Sequence, residues 1–294
     1  MSDVRSVVID GMRRYGMVGG AVAVVQPGQP PELECIGCAD PSSGRAVAPD
    51  TVFRIASISK TMTAIAIMQL RDEGRLELDE PVNRHLKSFT VELPVGGAPV
   101  TIRHLLTHTS GIGELPRLGA LLSRRQFGIG PPGSDPVVLS DIYRGTLRPE
   151  VAAGSKWAYA NHAFATLGQV VEDLTGEPFA QHMQARVFRP LRMDSTSYLR
   201  NDDLAARLAT GSHWILGRLR TVKDYELTFL GPGSVLSSGA DMARYAEWLI
   251  SGGATAPDVL RAETLHEMMS PQFSVHPGFP GMGLAFWLAW RMVG

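Results

Sequence analysis

The chain carries only two cysteines in 294 residues, Cys35 and Cys38, too few for a disulfide framework. Lysine is scarce as well: of the 28 cationic residues only Lys60, Lys87, Lys156 and Lys223 are lysine. An excess of charge is missing, since 28 basic residues meet 29 acidic ones for a formal net charge of −1. No bulk field therefore draws in a nucleic-acid backbone or an anionic membrane. Long hydrophobic runs are absent too. Ala21 to Val25, Ala64 to Met68 and Leu284 to Trp290 fall far short of the roughly 18–20 residues a bilayer requires. The Met-Ser-Asp-Val-Arg-Ser start has no apolar stretch like that of a secretory signal. The expected location is therefore the cytoplasm, with neither nucleic acid nor a membrane span involved. What is present is an ordinary globular composition, 44% hydrophobic, long enough for one large or two modest domains.

Along the chain, Val4, Val7, Val8, Met12 and Tyr15 recur at mostly three- and four-residue steps, which predicts an opening amphipathic helix. Residues 21–25 and 32–38, joined by a Pro/Gly-rich turn, read as a hairpin. From Ser57 to Glu73 the pattern is apolar nearly all round and closes at Gly74, as a helix buried inside a protein does. Further helices are expected over 101–108, 163–175, 179–188 and 241–250. Gly128 to Pro136 is Gly/Pro-rich and reads as a lid or specificity loop. Gly283 to Met292 reads as a buried terminal strand. No internal repeat is present. A strand-bearing start, a helical middle and a strand-like end imply an α/β domain built from both ends with a helical domain inserted, and a ligand cleft between them.

Two short motifs carry chemistry. In Ser57-Ile58-Ser59-Lys60 the positions i and i+3 share a helix face, which brings the hydroxyl and the amine within reach. A lysine desolvated by Ile and Met side chains can take the serine's proton, and the helix start offers a backbone N–H to an oxyanion. The alternative is an N-cap serine beside a packed lysine stem. With 21 serines and four lysines, about 0.3 such pairs arise by chance. The second motif, Tyr159-Ala160-Asn161, precedes a predicted helix and is rarer, at about 0.06 chance occurrences for six tyrosines and three asparagines. A phenol held near an ammonium ionises more readily and can shuttle a proton, while the amide can bind a substrate carbonyl. The alternative is Asn161 as a helix N-cap with Tyr159 packed.

Ser57-x-x-Lys60 followed a hundred residues later by Tyr159-x-Asn161 resembles the serine β-lactamase and penicillin-binding protein superfamily, in the branch of class C β-lactamases, D-alanyl-D-alanine peptidases and family VIII carboxylesterases. The flanking stretches Thr51-Val-Phe-Arg-Ile-Ala, Gly74-Arg-Leu-Glu-Leu-Asp-Glu-Pro-Val, Leu105-Leu-Thr-His-Thr-Ser-Gly-Ile, Pro190-Leu-Arg-Met-Asp-Ser-Thr and Gly233-Ser-Val-Leu-Ser-Ser-Gly-Ala-Asp-Met-Ala-Arg are similar too. The resemblance implies a β-lactamase/transpeptidase-like α/β fold of α+β type. In it, residues 1–56 and 245–294 form an antiparallel sheet flanked by N- and C-terminal helices, and residues 57–244 form the mainly helical domain. It further implies Ser57 as acylated nucleophile, Lys60 and Tyr159 as the proton-handling pair, Asn161 as a substrate-amide binder and the Ser57 N–H as half of an oxyanion hole. The implied substrate is a small ester or amide, with no cofactor and no metal.

Two departures stand out. The family's third motif, Lys or His with a small residue and Gly on a strand after the Gly283-Leu-Ala-Phe segment, has no match before Gly294. His276-Pro-Gly lies ahead of that segment and carries proline where a strand N–H is needed. Arg192 stands where the family usually has glycine.

Other candidates read as structural. None of the serines has glycine two residues before it, which excludes a lipase-type elbow. Cys35 and Cys38 sit at an odd spacing on a predicted strand, which sends them to opposite faces. His104 and His108 have metal-compatible spacing but no zincin glutamate. Arg124 and Arg125 read as solvated surface, and Trp287 and Trp290 as core packing or the wall of a groove.

Overall fold

The computed structural model describes residues 2–93, 97–113, 128–274, 276 and 281–288. Arg124, Arg125, Trp290, the 277–278 pair after His276 and residues 289–292 of the expected terminal strand lie outside them. The chain opens with α1 (Ser2–Tyr15), then β1 (Gly19–Val24) and β2 (Glu32–Asp40), which pair antiparallel from Gly19↔Gly37 to Val24↔Glu32. The strand β3 (Arg45–Ala46) extends this sheet beyond β2. Next come β4 (Val52–Arg54), a single 3₁₀ turn over Ala56–Ile58 and α2 (Ser59–Asp72).

The middle of the chain holds β5 (Thr90–Val91), α3 (Ile102–Leu106), β6 (Ile129–Gly130), α4 (Leu139–Tyr143), β7 (Thr146–Leu147) and α5 (Asn161–Thr175). It continues through α6 (Phe179–Met183), which runs on as a π-turn over Gln184–Phe188, and α7 (Asp202–Arg207). The remaining elements are the β8 (Ser212–Ile215) and β9 (Arg218–Thr221) hairpin, β10 (Glu226–Leu227), β11 (Leu236–Ser238), α8 (Gly239–Ile250) and α9 (Ala262–Met268). The result is a mixed α/β fold with the core on its helical side.

That core is built around α2. Every residue from Met62 to Leu70 is buried, because α5 and the 184–188 turn pack against a helix with no polar stripe to offer solvent. Of the two polar residues in the run, Thr63 Oγ1 donates to the Gly231 carbonyl (2.8 Å) and Gln69 Nε2 donates to that of Val259 (2.6 Å), while Gln69 Oε1 is buried without a hydrogen-bond partner among the described residues. The helix ends as expected, with Gly74 in the left-handed region (φ +70°) and the Arg75 N–H returning to the Leu70 carbonyl.

The sheet is covered on both faces. Arg5 of α1 pairs with Glu34 at 3.0 Å on one side, and on the other the start of α8 at Gly239 lies so close to Ala21 and Leu33 that an added Cβ would overlap Ala21.

Two stretches differ from the sequence-based expectation. Gly128 to Pro136 is not free of regular structure, since Ile129 and Gly130 pair with Leu227 and Glu226. That partner lies nearly a hundred residues away, beyond the reach of local patterning. Gly283 to Leu288 is a tight turn and not a strand: the Gly283 N–H donates to the Phe286 carbonyl (2.8 Å) and Ala285 is left-handed (φ +68°). Arg192, where the resemblance leads one to expect glycine, is also left-handed (φ +55°), the conformation glycine adopts without strain.

Candidate active site

The strand β4 pairs with β11, with Arg54 opposite Leu236, and the Ile55 N–H extends the ladder to the Val235 carbonyl (3.2 Å). The chain then has to leave the sheet and start a helix within two residues. It does so through Ala56, whose φ of +46° is costly for a residue with a Cβ. Ser59 braces this bend, its Oγ donating to the Ala56 carbonyl (2.6 Å) and accepting from the Val235 N–H (3.2 Å). Ser57 stands exposed at the apex, while Lys60, one turn on, is 3% exposed.

The second motif arrives from the opposite side. Tyr159 precedes Ala160, whose extended backbone leads into α5. The Tyr159 hydroxyl donates to Ser57 Oγ at 2.6 Å, and Lys60 Nζ donates to the same oxygen at 3.3 Å. Lys60 also donates to Asn161 Oδ1 and to the Pro232 carbonyl, both at 2.7 Å. Its ammonium lies over the rings of Tyr159 (4.6 Å to the centroid) and Phe164 (5.7 Å). All four residues singled out by the sequence, Ser57, Lys60, Tyr159 and Asn161, therefore meet at one point.

The capping alternatives do not describe what these side chains do. The residue before α2 is Ile58 and the residue before α5 is Ala160, and neither helix start has a side-chain cap. Asn161 is already inside its helix, and its amide oxygen is spent on Lys60. Ser57 Oγ is an acceptor for two donors and so does not serve the helix backbone.

Three further groups complete the corner. The Pro232 carbonyl is delivered by the loop before β11. That loop is pressed onto α5 at Gly231 (φ +104°), where a Cβ would sit 2.5 Å from the Phe164 carbonyl. Trp157 donates its indole N–H to Met282 Sδ (3.3 Å), and its ring meets that of the exposed Trp287 at 5.0 Å. His108, 1% exposed, has its ring 4.5 Å from that of Tyr159. Burial, and then the charge of Lys60, push the imidazole down to about 3, so it is neutral at any ordinary pH.

The residues set aside behave structurally. His104 Nδ1 accepts from the Thr101 N–H in a capping box at the start of α3. Cys35 and Cys38 are free thiols on β2. His276 lies in a bend, its carbonyl accepting from Ser274 Oγ. Among the described residues no group of three or more His, Cys, Asp or Glu is arranged to hold a metal, and no helix is long and apolar enough to cross a membrane. A cavity of about 1080 Å³ opens between the end of α1, β4 and the β8–β9 hairpin, and none of the four motif residues lines it.

Compared with known proteins, residues 4–293 match the family model described as Beta-lactamase. The chain is 37% identical over 192 residues to Esterase EstB of Burkholderia gladioli, an alignment covering 64% of this chain and 49% of that protein. To Penicillin-binding protein 4 of Amycolatopsis lactamdurans it is 33% identical over 255 residues, covering 83% of this chain and 62% of that one. The chain thus spans about half to three fifths of the length of these relatives. The octameric penicillin-binding protein homologue from Pyrococcus abyssi superposes with a TM-score of 0.79 at 24% identity, over 97% of this chain and 64% of that structure, and so shares the fold. With a family model matched across nearly all 294 residues and a penicillin-binding protein aligned over four fifths of them, the chain belongs to the β-lactamase family.

Proposed function

We propose that the chain is a serine hydrolase that cleaves small carboxylic esters through an acyl-Ser57 intermediate. One observation carries the reading: Ser57 Oγ accepts hydrogen bonds from the Tyr159 hydroxyl and from Lys60 Nζ, with Lys60 itself anchored at Asn161 and Pro232. A serine hydroxyl is a poor nucleophile until its proton has somewhere to go, and here both exits lie within reach. Ser57 Oγ attacks the ester carbonyl carbon while its proton passes to the Lys60–Tyr159 pair, which titrates as one unit and takes that proton in its singly deprotonated form, phenolate beside ammonium or phenol beside amine. The oxyanion is stabilised by the Ser57 backbone N–H at the helix entry. Collapse expels the alcohol, which takes a proton from the same pair. Water then attacks the acyl carbon, losing its proton to the pair, and releases the acid and free Ser57. The Lys60 ammonium beside the Tyr159 ring favours the phenolate form, the state of the pair that can take the proton from Ser57 and later from water.

The choice of esters over amides is supported by the 37% identity to an esterase. Turnover of β-lactams or of D-alanyl-D-alanine amides is the second reading, favoured by the longer alignment with a penicillin-binding protein. A third, a ligand-binding protein that keeps the fold without the reaction, would bind acyl compounds reversibly and form no adduct. A p-nitrophenyl ester of a short acid and a chromogenic cephalosporin, each given to wild type and Ser57→Ala, separate the three. Expected are ester turnover, an acyl adduct by intact mass, and a loss on the order of 10³-fold or more in Ser57→Ala. Turnover unchanged in Ser57→Ala, or no turnover and no adduct in wild type, sinks the hydrolase reading.

A further inference from the structure

The left-handed residue that ends α2 is Gly74, and the one that ends α5 is Gly176. At α3 the same task falls to His108, with φ +58°. The hydrogen bonds there are those of a Schellman end: the Thr109 N–H returns to the His104 carbonyl (2.9 Å), and the His108 N–H, longer at 3.4 Å, to that of Leu105. Backbone geometry at this position favours glycine or asparagine, and an imidazole there is strained. The strain has a visible return. The His108 carbonyl accepts from the Ala158 N–H at 2.8 Å, and its Nδ1 accepts from the Ala160 N–H at 3.2 Å. The residue held on both sides is Tyr159, and the imidazole lies against its ring (centroids 4.5 Å apart, planes inclined by 36°).

We propose that His108 is a positioning residue for Tyr159, clamping the backbone on either side of it and backing its ring so that the phenol hydroxyl is aimed at Ser57. An accepting Nδ1 requires the proton on Nε2. The neutral ring found above fits this, because a cationic one would offer no lone pair to Ala160 and would repel Lys60. The neighbours that face the imidazole are Trp157 and Tyr159 from the segment it clamps, Phe164 from α5, and from α2 the Lys60 charge. The proposal rests on the hydrolase reading for its catalytic consequence, though not for its structural one.

The test compares wild type, His108→Gly and His108→Asn, both substitutes being at ease in left-handed backbone, with folding checked by thermal melts. In ester hydrolysis, His108→Gly is expected to lose about 10–100-fold in kcat, with KM within about twofold and a shifted pH profile. His108→Asn, which keeps a side-chain acceptor, should recover to within about fivefold of wild type. Independently of activity, the Tyr159 phenol is titrated by ultraviolet difference spectra against Tyr159→Phe. Its midpoint should move by at least about half a pH unit in both variants, because water then reaches the phenol and screens Lys60. If His108→Gly fails to fold, His108→Asn carries the same titration. An unmoved Tyr159 midpoint overturns the proposal, as does an unchanged kcat and pH profile in an active enzyme. If wild type proves unable to acylate Ser57, the hydrolase reading falls and the phenol titration still decides the role of His108.

Discussion

The helix α2 and the strand β1 come from the same kind of sequence, a short uninterrupted apolar run, and end in different surroundings. Ala64 to Met68 is fully buried, whereas all six residues of β1 are only half-buried beneath α1 and α8. Apolarity alone does not set burial; what packs around the run does. The consequence reaches the site, because Lys60 belongs to α2 while Tyr159 and Asn161 enter through α5, which packs against it. The corner that holds Ser57 is thus preorganised by the helical core and by the separate β4–β11 ladder, which is not part of the β1–β2–β3 sheet.

The sharpest way to break this comparison is a pair of truncations. Ile65→Ala removes a fully buried side chain from a core that cannot collapse around it, and should cost about 2–5 kcal/mol. Val22→Ala on β1 removes the same class of atom from a half-buried position and should cost less than about 1.5 kcal/mol. Denaturant melts of both measure the difference, and equal losses would mean that the sheet carries as much of the fold as the helices do.

How much of this was legible beforehand follows from the range over which each signal acts. The helices α2 and α5, the first hairpin and the Gly74 stop are written in local periodicity and turn chemistry, and they form within a residue or two of where the pattern puts them. Ser57 and Lys60 are found by i, i+3 spacing, and Tyr159 and Asn161 by the rarity of their types. The other half of the Lys60 anchor is a backbone carbonyl, that of Pro232, and a carbonyl leaves no trace in residue identity. His108 reads as a core histidine, which it is, and only its φ and its two hydrogen bonds to a segment fifty residues away mark it as more. The strand at Ile129 and the turn at Gly283 escape for related reasons: the first is defined by a distant partner, and the second by an apolar run whose hydrogen bonds, such as the Leu284 N–H to the Met268 carbonyl, go elsewhere.

Acid sharpens the contrast between the two regions. On the helical side His108 is held neutral, pushed down to about 3 by burial and then by Lys60, against an ordinary histidine near 6.5. Between those values the unfolded chain binds a proton that the folded chain refuses. This contribution is therefore intact above about pH 6.5 and declines as the pH falls toward 3, at up to about 1.4 kcal/mol per pH unit. On the sheet side, hydrogen bonds from Ser43 and then Ser42 hold Asp40 down to about 2, so its contribution persists until more acid conditions. Melts from pH 7 to 4 should show a shallower decline in His108→Asn than in wild type. Burial lowers His104 and His182 in the same direction, so the wild-type-minus-variant difference is the quantity that isolates His108. Parallel curves would mean that His108 does not contribute to the acid limb.

The smallest effects separate strain that serves the site from strain that does not. Ala56 and Arg192 both carry a Cβ in left-handed backbone, with φ of +46° and +55°. Glycine at either position relieves that strain but adds entropy to the unfolded chain, so each substitution should gain no more than about 1 kcal/mol. The two part company in function. Arg192 is an exposed residue of the turn after the 184–188 segment, and Arg192→Gly should leave ester turnover where it was. Ala56 is the bend that presents Ser57, and a glycine there lets the apex sample other directions, lowering the fraction of time Oγ spends against Tyr159 and Lys60. Ala56→Gly should therefore lose several-fold in the rate of acyl-enzyme formation, read by stopped-flow, while melting no lower than wild type. If both glycine variants acylate at the wild-type rate, the Ala56 bend is a by-product of joining β4 to α2, and the aim of Ser57 depends on Tyr159, Lys60 and the clamp beneath them alone.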